Sequence, residues 1–230
     1  MTAASLDSAE IAKFDALASR WWDTRGPMRP LHAMNPARIG WITARLPAAT
    51  PVTLLDVGCG AGIAAEALAR RGHTVLGIDA AGQAIAAAMA HAPPDLPLTY
   101  RQTSAETLLA EGARFDAVTA LEVIEHVADP EAFLATLSGL LNPRGRLFLS
   151  TLNRTARSFI EAKLGAEYVL RLLPAGTHDW RRFLPPTRLA AACRAAGLRV
   201  IETAGLRPGL TGGFHISRDL GVNYLLCAEK

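Results

Sequence analysis

The chain has 230 residues, of which 50% are hydrophobic, and a formal net charge of +3. That length suits one domain with local additions, and the apolar content can fill a sizeable core. Its 24 Lys and Arg residues form no basic block of the kind that follows a phosphate backbone, which argues against a nucleic-acid partner.

Cysteine usage and hydropathy bear on where the protein works. Cys59, Cys193 and Cys227 have no metal-like spacing and favour a reducing cytoplasm. No apolar run approaches the roughly 18 residues that a membrane span needs. We therefore expect a cytoplasmic, soluble protein that at most lies on the inner face of the plasma membrane.

Residues 1–46 are predicted to form helices at one side of a larger domain. Apolar residues between positions 6 and 22 recur every three or four residues, as on an amphipathic helix that ends at Trp21 and Trp22. That helix could pack against a sheet edge, or it could be a lid whose aromatic rings close over a cofactor.

A second helix is predicted to begin at Asn35, with this residue as N-cap and Pro36 at the first helical position. Arg38 then falls in the first turn, where a cation is unfavourable to the helix dipole. This position suggests that Arg38 binds an anion, such as the carboxylate of a methionyl group, although a solvated surface arginine is the alternative.

The stretch 53–79 predicts a strand, a glycine-rich turn, a helix and a second strand, which is the opening unit of a nucleotide-binding sheet. Gly58, Gly60 and Gly62 allow the tight turn and leave backbone N–H groups open to a ligand. A dinucleotide fingerprint needs a small residue three places after the second glycine, and here that residue is Ile63.

Two carboxylates flank the glycine turn. Asp56 lies just before it. Its negative charge would repel a pyrophosphate but would attract an ammonium or sulfonium group. Asp79 ends the second strand, where a carboxylate accepts hydrogen bonds from a ribose diol. The pattern favours S-adenosylmethionine over a nicotinamide cofactor, and a tight turn without a ligand is the alternative.

Further strands and helices alternate along the rest of the chain, and Asp129, Pro130 and Glu131 are predicted to start one of these helices. Buried apolar runs predict strands at 98–101, 115–121, 147–151, 198–203 and 223–228. Ser104 follows the first of these runs, at a strand end where an adenine pocket is expected. The sequence predicts a single α/β domain, 1–230, with a Rossmann-like, mostly parallel seven-stranded sheet and helices on both faces.

An acidic segment follows the strand that ends at Leu121. Glu122, Glu125 and His126 have a spacing that would bring the three side chains to one face of a helical turn. Two carboxylates and an imidazole could bind Mg²⁺. Alternatively, His126 is a free general base, or the glutamates cap the following helix.

The alternation of strands and helices stops between 154 and 186. Apolar and basic residues at helical spacing predict an inserted amphipathic helix, which could contact a membrane surface, cover a greasy substrate or pack on its own domain. His178 and Asp179 in this insert are further candidates for a general base. Before the last strand we expect a long irregular loop that holds Phe214 and His215.

Several segments together resemble the ubiquinone-biosynthesis O-methyltransferases. They are FDALASRWWD at 14–23, PLHAMNPARIGWI at 30–42, LLDVGCGAG at 54–62, LEVIEHV at 121–127, STLNRT at 150–155, GAEYVLRLLPAGTHDW at 165–180 and VNYLL at 222–226. The glycine turn and the EHV segment are common to many class I methyltransferases, whereas the WWD, NPARI and LPAGTHDW segments are more specific.

The resemblance implies a class I, S-adenosylmethionine-dependent enzyme that methylates prenylated ortho-diols, namely a polyprenyl hydroxyphenol and demethylubiquinol, within a ubiquinone-biosynthesis complex. It places cofactor contacts on Arg38, Gly58, Asp79 and Leu121. Leu121 departs from relatives that have Met or Ser there, which a backbone contact would tolerate. Ala61 replaces a common glycine of the turn.

The same resemblance places a magnesium site on Glu122, Glu125 and His126, and we predict that Glu122 and His126 are the catalytic residues. Because the implied substrate has a prenyl tail, we also predict a membrane contact through 154–182, with Phe159, Leu164 and Leu172 facing inward and the arginines of the segment facing lipid headgroups. The alternatives are a metal-free methyltransferase of another hydrophobic phenol or acid, a prenyl-lipid-binding scaffold without turnover, and a nicotinamide dehydrogenase, which Asp56 and Ile63 disfavour.

Overall fold

The computed structural model describes residues 15–46, 51–159, 180–209 and 212–230. The strands are, in chain order, β1 (Thr53–Val57), β2 (Thr74–Asp79), β3 (Leu98–Gln102), β4 (Phe115–Leu121), β5 (Leu141–Leu152), β6 (Arg199–Pro208), β7 (Phe214–Ser217) and β8 (Asn223–Glu229). The longer helices are α1 (Arg29–Thr43), α2 (Ile63–Ala69), α3 (Gly82–His91), α4 (Ala105–Ala110), α5 (Pro130–Gly139) and α6 (Pro186–Ala195).

The strands form one sheet in the order β3-β2-β1-β4-β5-β8-β6-β7. The first five strands of that order are parallel, and the pairs β5–β8, β8–β6 and β6–β7 are antiparallel. The predicted Rossmann-like, mostly parallel α/β class is therefore confirmed. Since β2 and β4 lie on either side of β1, the carboxyl ends of β1, β2 and β4 meet at the edge where such sheets bind ligands.

The described sheet has eight strands, one more than predicted. The additional strand is β7, which lies where an irregular loop was expected, and its Phe214 pairs with Pro208 of β6. Four residues next to two glycines are too short a run to indicate a strand, and only the pairing with β6 makes one. Similarly, β5 begins at Leu141 rather than at 147, with a register shift against β4.

The two faces of the sheet carry separate apolar clusters. Leu55, Val118 and Leu149 point to a cluster shared with α4, α5 and α6. Leu54 and Phe148 point to the opposite cluster, which includes residues of α1, α2 and α3. Successive strand residues alternate between faces, so helices cover the sheet on both sides, as the sequence predicted.

Helix α1 corrects the predicted start at Asn35. The helix begins at Arg29, and Pro36 lies inside it rather than at its first position. An interior proline normally breaks a helix, but here Ile39 and Ile42 are fully buried beyond it, so packing against the sheet outweighs that local cost. Arg38 therefore lies in the second half of α1, and the argument from the helix dipole was wrong.

Other local signals are confirmed. Asp129 caps α5 by accepting hydrogen bonds from the N–H groups of Glu131 and Ala132, with Pro130 at the first position. Ser104 caps α4, where its hydroxyl oxygen accepts from Thr107 N at 3.2 Å. Within the part of the chain that the structure describes, every helix is too short or too polar to cross a membrane.

Candidate active site

The glycine turn lies between β1 and α2, as predicted. Gly58, Gly60 and Gly62 have φ values of +68°, +54° and +90°, which L side chains rarely adopt. A Cβ added at Gly58 would collide with Val123, which follows β4. The turn therefore packs closely against the residues that follow β4, and it lies directly beside the acidic segment.

Asp79 lies at the end of β2 and supports this turn. Its Oδ2 accepts from Gly60 N at 2.8 Å, and its Oδ1 accepts from Ala81 N at 2.8 Å. Burial raises the pKa of Asp79, and these backbone hydrogen bonds act in the opposite direction. Each carboxylate oxygen has a further lone pair, so the two oxygens can also accept from the adjacent hydroxyls of a ribose.

Asp56 is buried near the end of β1. Its Oδ1 accepts from Thr119 Oγ1 at 2.6 Å, and its Oδ2 has no hydrogen-bond partner among the described residues. Burial raises the pKa of Asp56 to about 6, and the charge of Arg38 partly offsets that rise. A buried carboxylate oxygen without a donor is suited to a cationic ligand.

Arg38 is 3% exposed and lies close to both acidic groups. Its Nη2 donates to Asn35 Oδ1 at 3.4 Å, and Asn35 Nδ2 donates in turn to Ile63 O at 2.9 Å. Burial lowers the pKa of Arg38, whereas the charges of Glu122 and Asp56 raise it. Arg38 is thus a buried cation on which the charges of both Glu122 and Asp56 act.

The described part of the N-terminal segment packs on the glycine turn. The indole ring of Trp21 occupies the space that a Cβ at Gly60 would need. Trp22 Nε1 donates to Ala61 O at 3.0 Å, and its ring stacks on His91 at 3.4 Å between ring centroids. The two aromatic rings therefore cover the turn, whereas residues 1–14 of the predicted lid lie outside the described residues.

The acidic segment is not the predicted helical turn. Glu122 has a φ of +59°, and only Ile124–His126 forms a short 3₁₀ turn. Glu122 Oε1 accepts from Ser150 Oγ at 2.6 Å and from Asn223 Nδ2 at 3.0 Å. The three hydrogen-bonded side chains come from β5, β8 and the end of β4, so the sheet register assembles this half of the site.

Glu125 has a different environment from Glu122. Its Oε2 accepts from Thr151 Oγ1 at 2.8 Å, and its Oε1 finds no partner in the described ranges. Burial raises the pKa of Glu125 to about 8, and the charge of Glu122 adds to that rise. Glu125 is therefore largely protonated at neutral pH, while Glu122 is only half-buried and hydrogen-bonded at one oxygen.

The arrangement does not fit the predicted three-ligand magnesium centre. Among the residues that the structure describes, no group of three His, Cys, Asp or Glu side chains is arranged to hold a metal ion. The reason is the left-handed conformation of Glu122, which breaks the spacing on which the prediction relied. The alternative that the glutamates cap the next helix is also wrong, because Asp129 caps it.

Three further residues of the predicted site have defined positions in the fold, namely Leu121, Ser104 and His126. Leu121 ends β4 and is half-buried against the α1 side of the sheet. Ser104 has the capping contact described above, and His126 is buried after the 3₁₀ turn. Their contacts with a cofactor or substrate stay predictions, as does any role of His178, which lies outside the described residues.

The base of the insert departs from expectation at one position. Phe159, predicted to face inward, is 36% exposed and packs edge-on against Trp180 with ring centroids 5.9 Å apart. Arg157, expected to face lipid headgroups, forms an ion pair with Asp219 at 2.9 Å. Leu164 and Leu172 lie outside the described residues.

Sequence analysis did not identify the side chains that hold the carboxylates. Thr119, Ser150, Thr151 and Asn223 all lie near the carboxyl ends of β4 and β5 or at the adjoining start of β8. Ser150 and Asn223 belong to the STLNRT and VNYLL segments, where they carried the resemblance but no assigned chemistry. The sequence feature that could have identified these side chains is a polar residue at the end of an otherwise apolar strand.

Comparison with known proteins agrees with this geometry. A family model described as "Methyltransferase domain" matches residues 31–203. Ubiquinone biosynthesis O-methyltransferases from Methylobacterium nodulans and Paracidovorax citrulli are each 46% identical to the chain, over 100% and 99% of it respectively and 97% of each relative.

Solved structures support the fold. A possible histamine N-methyltransferase from Thermotoga maritima has a TM-score of 0.66 at 15% identity, over 95% of this chain and 99% of that one. Magnesium protoporphyrin IX methyltransferase from Synechocystis PCC 6803, solved with bound S-adenosylmethionine, has a TM-score of 0.63 at 19% identity over the full length of both chains. Because the chain is 46% identical to these relatives over nearly its full length, it belongs to the ubiquinone biosynthesis O-methyltransferase family.

Proposed function

We propose that this enzyme methylates a hydroxyl group of prenylated ortho-dihydroxyphenols, with S-adenosylmethionine as the methyl donor. The observation that carries the proposal is the position of Arg38, a buried cation on which the carboxylates of both Asp56 and Glu122 act. This proximity supports a crevice for a cationic ligand at the end of β1 and an acidic group at the end of the neighbouring β4. The family of the chain supplies the class of acceptor.

Four groups are suited to bind the methyl donor. Asp79 can accept hydrogen bonds from the ribose hydroxyls, and the unpartnered Oδ2 of Asp56 can accept from the ammonium group. Arg38 can bind the carboxylate of the methionyl group. The turn can offer the carbonyl oxygens of Gly58 and Gly60, because the N–H groups of these two residues already donate to Ile78 O and Asp79 Oδ2. When bound, S-adenosylmethionine supplies an electrophilic methyl carbon on a sulfonium.

Glu122 is proposed to hold the proton of the acceptor hydroxyl. A phenol is mostly protonated at neutral pH, so a nearby carboxylate helps by accepting its hydrogen bond as the oxygen becomes nucleophilic. Glu125 is protonated in the same pH range and so adds no second negative charge beside Glu122. His126 stays the alternative base, because an imidazole can exchange a proton in the physiological pH range.

The proposed step contains no magnesium ion. The family resemblance implies one, but the described Glu122, Glu125 and His126 side chains form no three-ligand group. Treatment with EDTA and re-addition of Mg²⁺ tests the point. Activity that depends on added Mg²⁺ would require these side chains to rearrange around the bound substrate.

The test of the function is methyl transfer to a prenylated catechol. Wild type should methylate it, and Glu122→Gln should lower kcat by about 100-fold or more with little change in S-adenosylmethionine affinity. Glu131→Gln, which alters an exposed glutamate on α5, is the matched control and should retain full activity. Wild-type enzyme that binds the cofactor but leaves the catechol unmethylated would contradict the proposal.

A membrane contact through 154–182 is a second part of the proposal. A prenyl tail partitions into bilayers with about 0.8 kcal/mol per buried CH₂, so the enzyme must meet this substrate at a surface. Phe159, which is 36% exposed at the base of the insert, supports a contact there. Phe159→Ser should weaken co-sedimentation with liposomes, whereas Met89→Ser, at a residue 54% exposed on α3, should not.

A further inference from the structure

Asn223 is a buried polar residue to which neither the sequence analysis nor the proposed mechanism gives a role. It is the first residue of β8, where it pairs with Leu152 of β5 and with Leu206 of β6. Its side chain is 5% exposed, and its Nδ2 donates to Glu122 Oε1 at 3.0 Å. A carboxylate can only accept a hydrogen bond, so the amide nitrogen must face Glu122 and the amide oxygen must point elsewhere.

The amide oxygen of Asn223 lacks a donor. Its Oδ1 has no hydrogen-bond partner among the described residues, although it is buried. Buried polar groups are normally hydrogen-bonded, and an unpaired one calls for an explanation such as a missing ligand. Because Oδ1 and Nδ2 are bonded to the same carbon, Oδ1 lies beside the carboxylate of Glu122.

The carboxylate of Glu122 is itself fixed in orientation. Ser150 Oγ and Asn223 Nδ2 both donate to Oε1, and Glu122 N donates to Ser150 O at 3.0 Å. The backbone of Glu122 is held at a φ of +59°, a conformation that persists only where its surroundings enforce it. Among the described residues both of these donors bind Oε1, so Oε2 can accept from the acceptor substrate.

We propose that Asn223 determines the specificity of the enzyme for ortho-diols. Oε2 of Glu122 and Oδ1 of Asn223 belong to two side chains that are hydrogen-bonded to each other, and an ortho-dihydroxyphenol presents two neighbouring donors. Glu122 accepts from the hydroxyl that is methylated, and Asn223 accepts from the hydroxyl next to it. This inference rests on the proposed function and adds the prediction that a phenol with one hydroxyl is a poor substrate.

Comparison of two acceptors tests this assignment. They are a prenylated catechol and the matching prenylated phenol that lacks the second hydroxyl. Asn223→Ala should lower kcat/KM for both acceptors, because Glu122 loses a donor, but it should lower the value for the catechol by about 10-fold more, because only the catechol also loses the hydrogen bond to Oδ1. The preference of the wild type for the diol should therefore collapse in this variant.

Ser150→Ala is the matched control. It removes the other donor to Glu122 Oε1 and leaves the amide oxygen of Asn223 in place. Its activity should fall by the same factor for both acceptors. If Asn223→Ala also lowers both by one common factor, or changes neither, Asn223 only supports Glu122 and the specificity assignment is wrong.

A measurement on wild type alone covers the case in which Asn223→Ala does not fold. Unreactive analogues of the two acceptors are compared as competitive inhibitors, and the diol should bind about 10-fold tighter or more. Equal inhibition constants would overturn the proposal. Failure of wild type to methylate either acceptor would instead count against the proposed function, which separates the two failures.

Discussion

The two halves of the proposed active site are built in different ways. The cofactor half consists of Asp56, the glycine turn and Asp79, which all lie within the continuous stretch 53–79. The acceptor half consists of Glu122, Ser150 and Asn223, which come from three strands far apart in the chain. The first half is local in sequence and the second depends on the register of β4, β5 and β8, so changes to them should have different consequences.

The largest expected difference is in the pH dependence of folding stability. A carboxyl whose pKa is raised in the folded state keeps its proton longer than in the unfolded chain. The free energy of unfolding therefore falls as pH rises from the unfolded pKa to the folded one. For Glu125 this interval extends to about 8, and for Asp56 to about 6, in both cases because of burial.

Between pH 5 and pH 8 we expect Glu125 to lower the free energy of unfolding of wild type by about 2–4 kcal/mol. This decrease should be absent in Glu125→Gln. Asp56→Asn should flatten only the part of the curve below about pH 6. Urea unfolding at several pH values measures both, and the difference between variant and wild type isolates each group. An unchanged slope in Glu125→Gln would mean that Glu125 is ionised in the folded protein at neutral pH.

The second prediction concerns the cofactor half alone. Asp79→Ala removes two hydrogen-bond acceptors from the ribose site, so the affinity for S-adenosylmethionine should fall by about 100-fold. The KM for the acceptor should change by less than about 3-fold. Asp95→Ala, at an exposed residue, is the control. Calorimetric titration measures the affinity, and a change below about 3-fold would show that Asp79 does not bind the ribose.

The third prediction compares two glycines with positive φ. Gly60 and Gly112 have φ values of +54° and +80°, but a Cβ at Gly60 would collide with Trp21, whereas one at Gly112 would meet open space. Each Gly→Ala substitution should lower the free energy of unfolding by about 1–2 kcal/mol, because alanine disfavours a positive φ. Gly60→Ala should lower it by about 1–3 kcal/mol more, because the added Cβ overpacks against Trp21. Equal losses in thermal unfolding would show that Trp21 moves away from the turn at little cost.

The smallest expected effect is the pH dependence of cofactor binding. The ammonium group of the methyl donor requires the ionised form of Asp56, whose pKa is about 6 in the free protein. Affinity should therefore fall by up to about tenfold for each pH unit below 6. Asp56→Asn should bind more weakly at pH 7 and show no such dependence. A pH-independent affinity in wild type would indicate that Asp56 does not contact the ligand.

Sequence reasoning succeeded where the determining signal is local. The glycine turn, Asp79 at the end of β2 and the capping of α5 by Asp129 all follow from residue types within a few positions of each other. It failed for α1, because Pro36 reads as a helix start and only the burial of the residues beyond it shows otherwise. It also missed β7, whose four residues are held by pairing with β6.

The acceptor half shows the same limit in its chemistry. The spacing of Glu122, Glu125 and His126 indicates one helical face, yet Glu122 adopts a left-handed conformation that no local pattern predicts. Its hydrogen bonds to Ser150 and Asn223 become visible only once β5 and β8 are paired. A residue type and a spacing therefore name candidates, but not which atoms of them are free to act.

By itself the sequence determined the α/β class, the glycine turn flanked by Asp56 and Asp79, and the family, because these depend on short-range patterns of apolar, glycine and acidic residues. Only the tertiary structure decided where α1 begins, how Arg38 comes under the influence of two carboxylates, and how Glu122 is hydrogen-bonded to Ser150 and Asn223. These features depend on strand register and burial, which bring together residues more than 100 positions apart.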